Sequence, residues 1–262
     1  MKVLFVGDVI GKPGRRVLRD LLNRIVEEHA VDLTIANCEN AAAGFGVTRD
    51  IVEELYGYKI DVLTSGNHIW DKKEIEDFID EYRLLLRPAN YPEGSPGRGS
   101  VVVETDSGVT VAVINLEGRV FMKPLDCPFR VAEREIEKVR DRAHIIIVDM
   151  HAEATSEKQA LGWFLDGRVS AVVGSHTHVQ TSDERILPDG TAYITDVGMT
   201  GPCDSVIGIK KDIIVRKFLT SVPARYEVAK HNVWIQSVVI TIDEKTGRAT
   251  KIERLNMKQS AT

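Results

Sequence analysis

Short apolar runs alternate with longer amphipathic stretches over the first 180 residues of the chain. Runs rich in Val, Ile and Leu predict buried strands, and apolar residues spaced three or four apart predict helices that bury one face. The runs place strands at residues 2–6, 32–36, 61–64, 144–148 and 169–173. The spacing places helices at residues 15–29, 48–58, 71–82, 131–143 and 156–165. Such alternation is typical of parallel βαβ units, so we predict an α/β fold.

Turn residues and strand alternation describe the rest of the chain. Residues 11–14 indicate a turn, and residues 87–99, rich in Pro and Gly, indicate a long loop. Beyond these, the pattern predicts strands at residues 100–104, 109–115, 192–195 and 226–242, and a short helix at residues 212–219. No linker, repeat or low-complexity segment divides the sequence, and we therefore expect one domain over residues 1–262.

Composition and charge narrow the classes of partner. A hydrophobic content of 43% with 28% charged residues is that of an ordinary globular protein. The formal net charge of -5 argues against an extended nucleic-acid surface or a membrane-binding face, although it leaves room for a local basic patch. Lys12, Arg15 and Arg16 could form such a patch, but a solvated start of a helix is the favoured interpretation.

The sequence also favours a cytoplasmic location. No run of 18 apolar residues is present, which argues against a membrane-spanning helix. Asp8 comes too early for the apolar region of a signal peptide. Three unevenly spaced cysteines indicate a reducing compartment rather than a disulfide framework.

Polar residues with metal-binding side chains follow five of the predicted strands. Because the carboxyl ends of parallel strands converge on one crevice, these side chains can meet if the strands are neighbours in a sheet. The set holds more ligands than one zinc ion needs, and it matches two ions bridged by a carboxylate. Its mixed oxygen and nitrogen donors suit iron, manganese or zinc. The residues are Asp8, Glu39, Asn40, Asn67, His68, His151, His176 and His178.

Each cluster alone also has a structural interpretation. Asp8 could cap a helix, Asn67 and His68 could form a turn, and His151 could be a satisfied histidine at the end of a strand. Because five such clusters occur at the same end of five strands, a shared metal site is favoured over five separate structural roles. Asp71 leaves two alternatives open, because it could orient the imidazole of His68 or cap the helix that follows.

Together these motifs resemble the calcineurin-like metallophosphoesterase superfamily. The resemblance rests on Gly7-Asp8, Glu39, Gly66-Asn67-His68, His151 and His176-Thr177-His178. Two departures narrow it: Ile10 stands where the superfamily usually has His, and the bridging acid is Glu39 where Asp is usual. With residues 7–15 and 195–202, the chain is similar to the bacterial YmdB-like branch over essentially its whole length.

The resemblance implies a four-layer αββα fold and a role for each site residue. Asp8, Glu39 and His178 would hold a first metal ion, supported by Asn40. Glu39 would bridge to a second ion held by Asn67, His151 and His176, and His68 would be the general acid. The residue Ile10 leaves the first ion short of one ligand.

The resemblance further implies a cytoplasmic, dinuclear phosphodiesterase that acts on small phosphodiesters, with cyclic nucleotides favoured. Hydroxide bridging two divalent ions, iron or manganese in preference to zinc, would attack phosphorus. Two alternatives remain: a phosphomonoesterase, and a regulator that binds nucleotides through the metal site without turnover. We expect a small phosphodiester or nucleotide as partner and no membrane, and the sequence leaves a homo-oligomer, the substrate-binding residues and the native metal open.

Overall fold

The computed structural model describes residues 1–259, whose strands form two sheets packed face to face with helices outside each. The strands are β1 Lys2–Val6, β2 Asp8–Val9, β3 Leu33–Asn37, β4 Val62–Thr64, β5 Ser100–Glu104, β6 Thr110–Glu117, β7 Ile145–His151, β8 Ala171–Ser175, β9 Arg185–Ile186, β10 Ala192–Ile194, β11 Met199–Pro202, β12 Val233–Ile242 and β13 Ala249–Lys258. The helices are α1 Gly11–His29, α2 Arg49–Tyr56, α3 Ile75–Phe78, α4 Pro128–Val139, α5 Thr155–Leu165 and α6 Lys211–Thr220.

The first sheet runs in the order β2-β11-β12-β1-β3-β4, with β13 paired to β12. Strands β1, β3 and β4 are parallel, whereas β12 pairs with β1 and β13 in antiparallel fashion. The second sheet runs β5-β6-β7-β8-β10-β9 and is parallel from β6 to β10. Central parallel strands are covered on both faces, which accounts for their uninterrupted apolar runs.

Three apolar clusters separate four layers. Val3 and Phe5 of the first sheet pack with Val113 and Ile147 of the second, so the middle cluster lies between the sheets. A second cluster joins α1 and α2 to the outer face of the first sheet. A third joins α4 and α5 to the outer face of the second sheet. The predicted αββα arrangement is therefore confirmed.

One expectation about the sheet needs correction. The five strands that carry the polar clusters do not lie in a single sheet. Strands β1, β3 and β4 belong to the first sheet, and β7 and β8 belong to the second. The clusters therefore meet across two stacked sheets, because the middle apolar cluster holds both sheets in contact.

Three local predictions were wrong. Residues 11–14 form the first turn of α1 instead of a separate turn, since Pro13 lies where a helix needs no backbone N–H donor. Residues 71–82 do not form one continuous helix; they contain the short helix α3, with a 3₁₀ turn on each side. A single turn is enough to bury the apolar side chains of Ile75, Phe78 and Ile79. Residues 226–232 are not a strand, and Val228 packs instead near Gly11 and Gly44.

Two further observations concern the helices and the cysteines. In the described part of the chain, no helix has the length and apolarity needed to cross a membrane. The cysteines Cys38, Cys127 and Cys203 carry free thiols.

Candidate metal centre

The predicted ligands converge at the carboxyl ends of the five strands. Asp8 lies just after β1, Glu39 and Asn40 after β3, and Asn67 after β4. His151 is the last residue of β7, because the strand continues three residues beyond its predicted end at residue 148, and His176 directly follows β8. All seven ligand candidates are buried or half-buried; they are Asp8, Glu39, Asn40, Asn67, His151, His176 and His178.

One group of the predicted ligands centres on the Nε2 atom of His151. Asn67 Oδ1 lies 3.1 Å from this nitrogen, and Glu39 Oε1 also lies 3.1 Å from it. His176 Nδ1 approaches the same nitrogen to 3.0 Å. Glu39, His151 and His176 offer ligand atoms that all lie within 4.8 Å of one another. The oxygen and nitrogen atoms of these side chains thus present lone pairs to one another. One proton shared between two of these atoms leaves the others without a hydrogen-bond donor.

The neighbours of His151 fix which nitrogen can bind a metal. Ser175 Oγ donates to Asp149 Oδ1 at 2.6 Å, so it accepts from Nδ1–H of His151 at 2.9 Å. Asp149 also accepts from Thr64 Oγ1 at 2.5 Å, which anchors the acid to the first sheet. This hydrogen-bond network assigns the proton to Nδ1 and leaves the Nε2 lone pair toward Glu39.

The other two histidines show the same arrangement. His176 Nε2 lies 3.2 Å from Glu153 Oε2, so its Nδ1 lone pair faces His151. His178 Nδ1 lies 3.0 Å from the carbonyl oxygen of Ile207, which accepts its proton. In each ring one nitrogen donates to a fixed oxygen and the other is presented to the centre, as in metal-binding histidines.

A second group of the predicted ligands surrounds Asp8. His178 Nε2 lies 3.8 Å from Asp8 Oδ1. Asn40 donates through Nδ2 to the carbonyl of Gly44 at 2.9 Å, which turns its Oδ1 away from that contact. Asp8 Oδ1, Asn40 Oδ1 and Glu39 Oε1 are buried oxygens without a hydrogen-bond partner in the described chain. Buried oxygens are rarely left unpaired, and three of them among the predicted ligands fit a cation.

Electrostatics point the same way. Burial raises the pKa of Asp8 to about 6, against the opposing charge of His178. Burial also acts to raise the pKa of Glu39, but the charge of His151 outweighs it and lowers that pKa to about 2. Burial acts to lower the pKa of His151, yet the charges of Glu39 and Asp8 raise it to about 9. In the metal-free protein the protonated His151 ring supplies the positive charge beside Glu39, and a bound divalent ion would take the place of the proton on Nε2.

Local backbone geometry brings these side chains together. A Cβ atom at Gly66 would lie 2.0 Å from His151 Cδ2, so only glycine lets this turn approach the imidazole. His176 and His178 have φ angles of 99° and 64°, a region that costs non-glycine residues about 1–3 kcal/mol. Strained residues of this kind are held by their surroundings and cluster at functional sites.

Asp196 holds the strained loop. Its Oδ2 accepts from the backbone N–H of Thr177 at 3.0 Å and from Thr177 Oγ1 at 2.8 Å. The same oxygen accepts from Lys158 Nζ at 2.7 Å, and both charged groups are almost fully buried. Asp196 belongs to the segment 195–202 on which the family resemblance partly rests, whereas nothing in the sequence indicated Lys158.

His68 lies beside the centre. Its backbone N–H donates to Glu39 Oε2 at 3.0 Å. Its Nδ1 lies 2.8 Å from Asp71 Oδ2, and Asp71 makes no side-chain cap, so the first of the two alternatives for Asp71 is the observed one. The Phe45 ring packs edge-on against the imidazole with centroids 5.0 Å apart. His68 Nε2 has no hydrogen-bond partner among residues 1–259.

A cavity of about 530 Å³ opens over the ligands, here called the site cavity. Both polar and apolar side chains line it. Ile10, where the superfamily usually has His, lines this cavity and is itself almost fully buried. The apolar side chains include Phe45, Ile207, Phe218 and Tyr226.

Sequence reasoning missed the residues that support the ligands. Ser175 contacts His151, whereas Asp149 acts through Ser175 and Lys158 acts through Asp196, and none of the three was predicted to have a role. Asp149 carried the one available signal, a carboxylate at the end of an apolar strand. Lys158 lies on a helix with polar neighbours, where a buried cation has no distinguishing pattern.

Comparison with known proteins gives a family and a fold. A family model of YmdB-like proteins matches residues 4–255. The 2',3'-cyclic-nucleotide 2'-phosphodiesterase of Bacillus subtilis (strain 168) is 52% identical over 255 residues, covering 97% of this chain and 96% of the relative.

Two solved structures resemble this one closely. A crystal structure of a hypothetical protein from Thermus thermophilus has a TM-score of 0.93 at 41% identity, covering 99% of this chain and 100% of the other. A crystal structure of a novel phosphatase from Mycoplasma pneumoniae has a TM-score of 0.92 at 34% identity, covering 98% of this chain and 93% of the other.

Proposed function

Since the chain belongs to the family of YmdB-like proteins, we propose that it is a metal-dependent phosphodiesterase that opens 2',3'-cyclic nucleotides at the 2' ester bond. The observation that carries this proposal is the convergence of carboxylate, amide and imidazole lone pairs around His151 and Asp8. A Bacillus subtilis relative at 52% identity bears the name of this activity.

We further propose that the centre holds two divalent ions. Asp8, Asn40 and His178 would hold one, Asn67, His151 and His176 the other, and Glu39 would contact both. Iron or manganese is favoured because the donors are a mixture of hard oxygens and imidazole nitrogens, and zinc would also bind. Bound ions would neutralise phosphoryl oxygens and lower the pKa of a water molecule to near neutrality.

The side chains around the centre then perform separate tasks. His68 gives a proton to the O2' atom as the P–O2' bond breaks, which leaves a 2'-hydroxyl and a 3'-phosphate after addition of water. Asp71 accepts from Nδ1–H of His68, so the doubly protonated ring gives its proton from Nε2 and is left neutral with the remaining proton on Nδ1. The apolar walls exclude water from the nucleoside side of the site cavity.

The proposed reaction is tested with purified protein loaded with manganese. We expect 2',3'-cyclic AMP to be converted to 3'-AMP, and the reaction to stop when a chelator removes the metal. Asp8→Ala serves as the matched inactive variant, because it removes an unpaired buried carboxylate oxygen from the centre. Bis(p-nitrophenyl) phosphate and p-nitrophenyl phosphate serve as diester and monoester references.

The outcomes separate the alternatives. Faster turnover of the monoester than of either diester would establish a phosphomonoesterase and overturn the proposal. Binding of 2',3'-cyclic AMP without turnover, with two metal ions per chain by elemental analysis, would establish a nucleotide-binding regulator. Absence of bound metal would overturn the site assignment as well.

We also propose a cytoplasmic location, which the three free cysteines support. A homo-oligomer remains a prediction.

A further inference from the structure

A second cavity, of about 740 Å³, lies next to the site cavity and is here called the basic cavity. The side chains of Lys12, Arg16, Arg225 and Lys230 line it. Its one acidic lining residue, Glu227, forms an ion pair with Lys210. The chain as a whole carries a net charge of -5, so this concentration of positive charge is local.

The cations of the basic cavity are largely available to a ligand. Within residues 1–259, no carboxylate lies within ion-pair distance of Lys12, Arg225 or Lys230. Arg16 makes only a long contact of 3.8 Å to Asp20. Arg15 points elsewhere, toward Glu54 at 2.8 Å, and does not line the cavity. Four neighbouring like charges repel one another and favour an anion between them.

The basic cavity borders the site cavity. Tyr226 lines both, so one side chain forms part of the wall between them. Its ring stacks on Phe45 with centroids 6.2 Å apart and an interplanar angle of 24°. Phe45 in turn contacts His68, the proposed proton donor. The two cavities thus adjoin at Tyr226, and a ligand bound at the metal centre would have to pass this side chain to enter the basic cavity.

We propose that the basic cavity binds a second phosphate of the substrate, and that the preferred substrate is a short oligoribonucleotide ending in a 2',3'-cyclic phosphate. This inference rests on the proposed function. The cyclic end lies over the metal centre, and the adjacent 3',5'-phosphodiester lies among Lys12, Arg225 and Lys230. Lys and Arg are the side chains that bind phosphate in proteins.

The positive charges of the basic cavity favour a substrate with a second phosphate over a mononucleotide. A mononucleotide with a cyclic phosphate carries only one phosphate, which the metal centre itself would hold. The net negative charge of the chain disfavours binding of a long nucleic acid. The basic cavity therefore contacts only one or two phosphates next to the cyclic end of the substrate.

The first test compares two substrates on the manganese-loaded enzyme: 2',3'-cyclic AMP, and the dinucleotide ApA with a terminal 2',3'-cyclic phosphate. We expect kcat/KM for the dinucleotide to be about tenfold higher, as charge-assisted contacts to one phosphate allow. In the triple variant Lys12→Ala, Arg225→Ala, Lys230→Ala the ratio of the two kcat/KM values falls to about one. The matched control, Lys138→Ala, Arg140→Ala, Lys251→Ala, removes the same charges at exposed positions and keeps the ratio.

The second test measures binding without turnover. Calorimetric titration uses the deoxydinucleotide d(ApA) with a 3'-phosphate, which cannot form a cyclic ester, against 3'-dAMP, and chromatography confirms that both ligands remain intact. We expect the dinucleotide to bind about tenfold more tightly to the wild-type enzyme, and the advantage to disappear in the triple variant and in high salt.

The failures of the two proposals are distinguishable. Turnover of 2',3'-cyclic AMP with no preference for the dinucleotide, or an equal preference in the triple variant, would overturn the second phosphate site alone. Turnover of neither cyclic substrate would overturn the proposed function, and the titration would still decide whether the basic cavity binds phosphate.

Discussion

The two ring nitrogens of His151 have different partners, and that difference defines the centre. Nδ1 belongs to a chain of hydrogen bonds through Ser175 to Asp149, whereas Nε2 faces Glu39, Asn67 and His176. The acid at the end of this chain increases the basicity of the imidazole and fixes its orientation. Removal of Asp149 should therefore weaken metal binding although it touches no ligand position.

His68 is the residue whose role is easiest to isolate. We expect His68→Ala to lower kcat by about 10²–10⁴-fold, since the leaving oxygen loses its proton donor. The metal content should stay at the wild-type value, because no ligand atom is removed. Elemental analysis and steady-state kinetics check the two statements together.

Two further variants sharpen this test. Asp71→Asn should cause a smaller loss, since it disturbs only the partner of Nδ1. His144→Ala, an exposed histidine next to the amino end of β7, should keep full activity. Loss of metal in His68→Ala would show that His68 is a ligand, which would contradict the assignment.

Gly66 tests the close approach between the β4 turn and β7. In Gly66→Ala the new methyl group would lie 2.0 Å from the His151 ring, so the ring or the turn must move. We expect at least one metal ion per chain to be lost in elemental analysis, together with turnover. Gly57→Ala is the control, because Gly57 has a φ of -61° and lies at the end of α2. Unchanged metal content in Gly66→Ala would contradict the need for this close approach.

At the scale of elements, the loop after β8 depends on a contact from outside the centre. Helix α5 supplies Lys158, and the segment after β10 supplies Asp196, which accepts from the backbone of Thr177. Breaking a buried ion pair costs more than breaking an exposed one, because the remaining charge stays buried without a partner.

We therefore expect Lys158→Met to lower the free energy of unfolding by about 3–5 kcal/mol. Metal affinity should also fall, since Asp196 would lose the cation that fixes its position and would hold the loop of His176 and His178 less firmly. Urea denaturation and metal titration measure the two effects. Lys251→Met, which breaks an exposed ion pair with Glu253 on β13, should change the free energy of unfolding by less than about 1 kcal/mol. Equal stability of both variants would contradict the structural role of Lys158.

At the scale of the whole molecule, the ligands connect the two sheets. Asp8, Glu39 and Asn67 come from the first sheet, and His151 and His176 come from the second. Bound ions would thus link the sheets at one edge, in addition to the apolar cluster between them. We propose that the described chain unfolds as one unit, because neither sheet can bury its inner face without the other.

Removal of the metal should lower the melting temperature, and the protein should still unfold in a single thermal transition. A ligand present at 100 times its Kd stabilises the folded state by about 2.7 kcal/mol, which corresponds to a fall in Tm of roughly 5–10 °C on chelation. Differential scanning calorimetry of the loaded and chelated protein measures this shift. Two separate transitions in either sample would contradict the single unit, and an unchanged Tm would contradict a metal link between the sheets.

The sequence by itself determined the local elements and the chemistry at their ends. The apolar run at residues 2–6 predicted β1 with its observed bounds, whereas the run at 169–173 predicted β8 two residues too early, because burial on both faces requires apolar residues but does not mark where a strand ends. The identities of Asp8, Glu39 and His151 then indicated metal ligands, since side-chain chemistry does not depend on the fold. The order of predicted strands and helices alone was compatible with a single sheet. The four-layer arrangement was predicted from the resemblance to the metallophosphoesterases.

Only the tertiary structure decided which side chains meet and what holds them. The proton on Nδ1 of His151, the contact between Lys158 and Asp196, and the basic cavity between Lys12 and Lys230 each join residues far apart in the chain. Segments such as residues 226–232 carry strand-like alternation, yet packing against the start of α1 determines their path. The pattern of apolar and polar residues in a segment indicates which of its side chains are buried. The distances between segments depend instead on how the sheets and helices pack together.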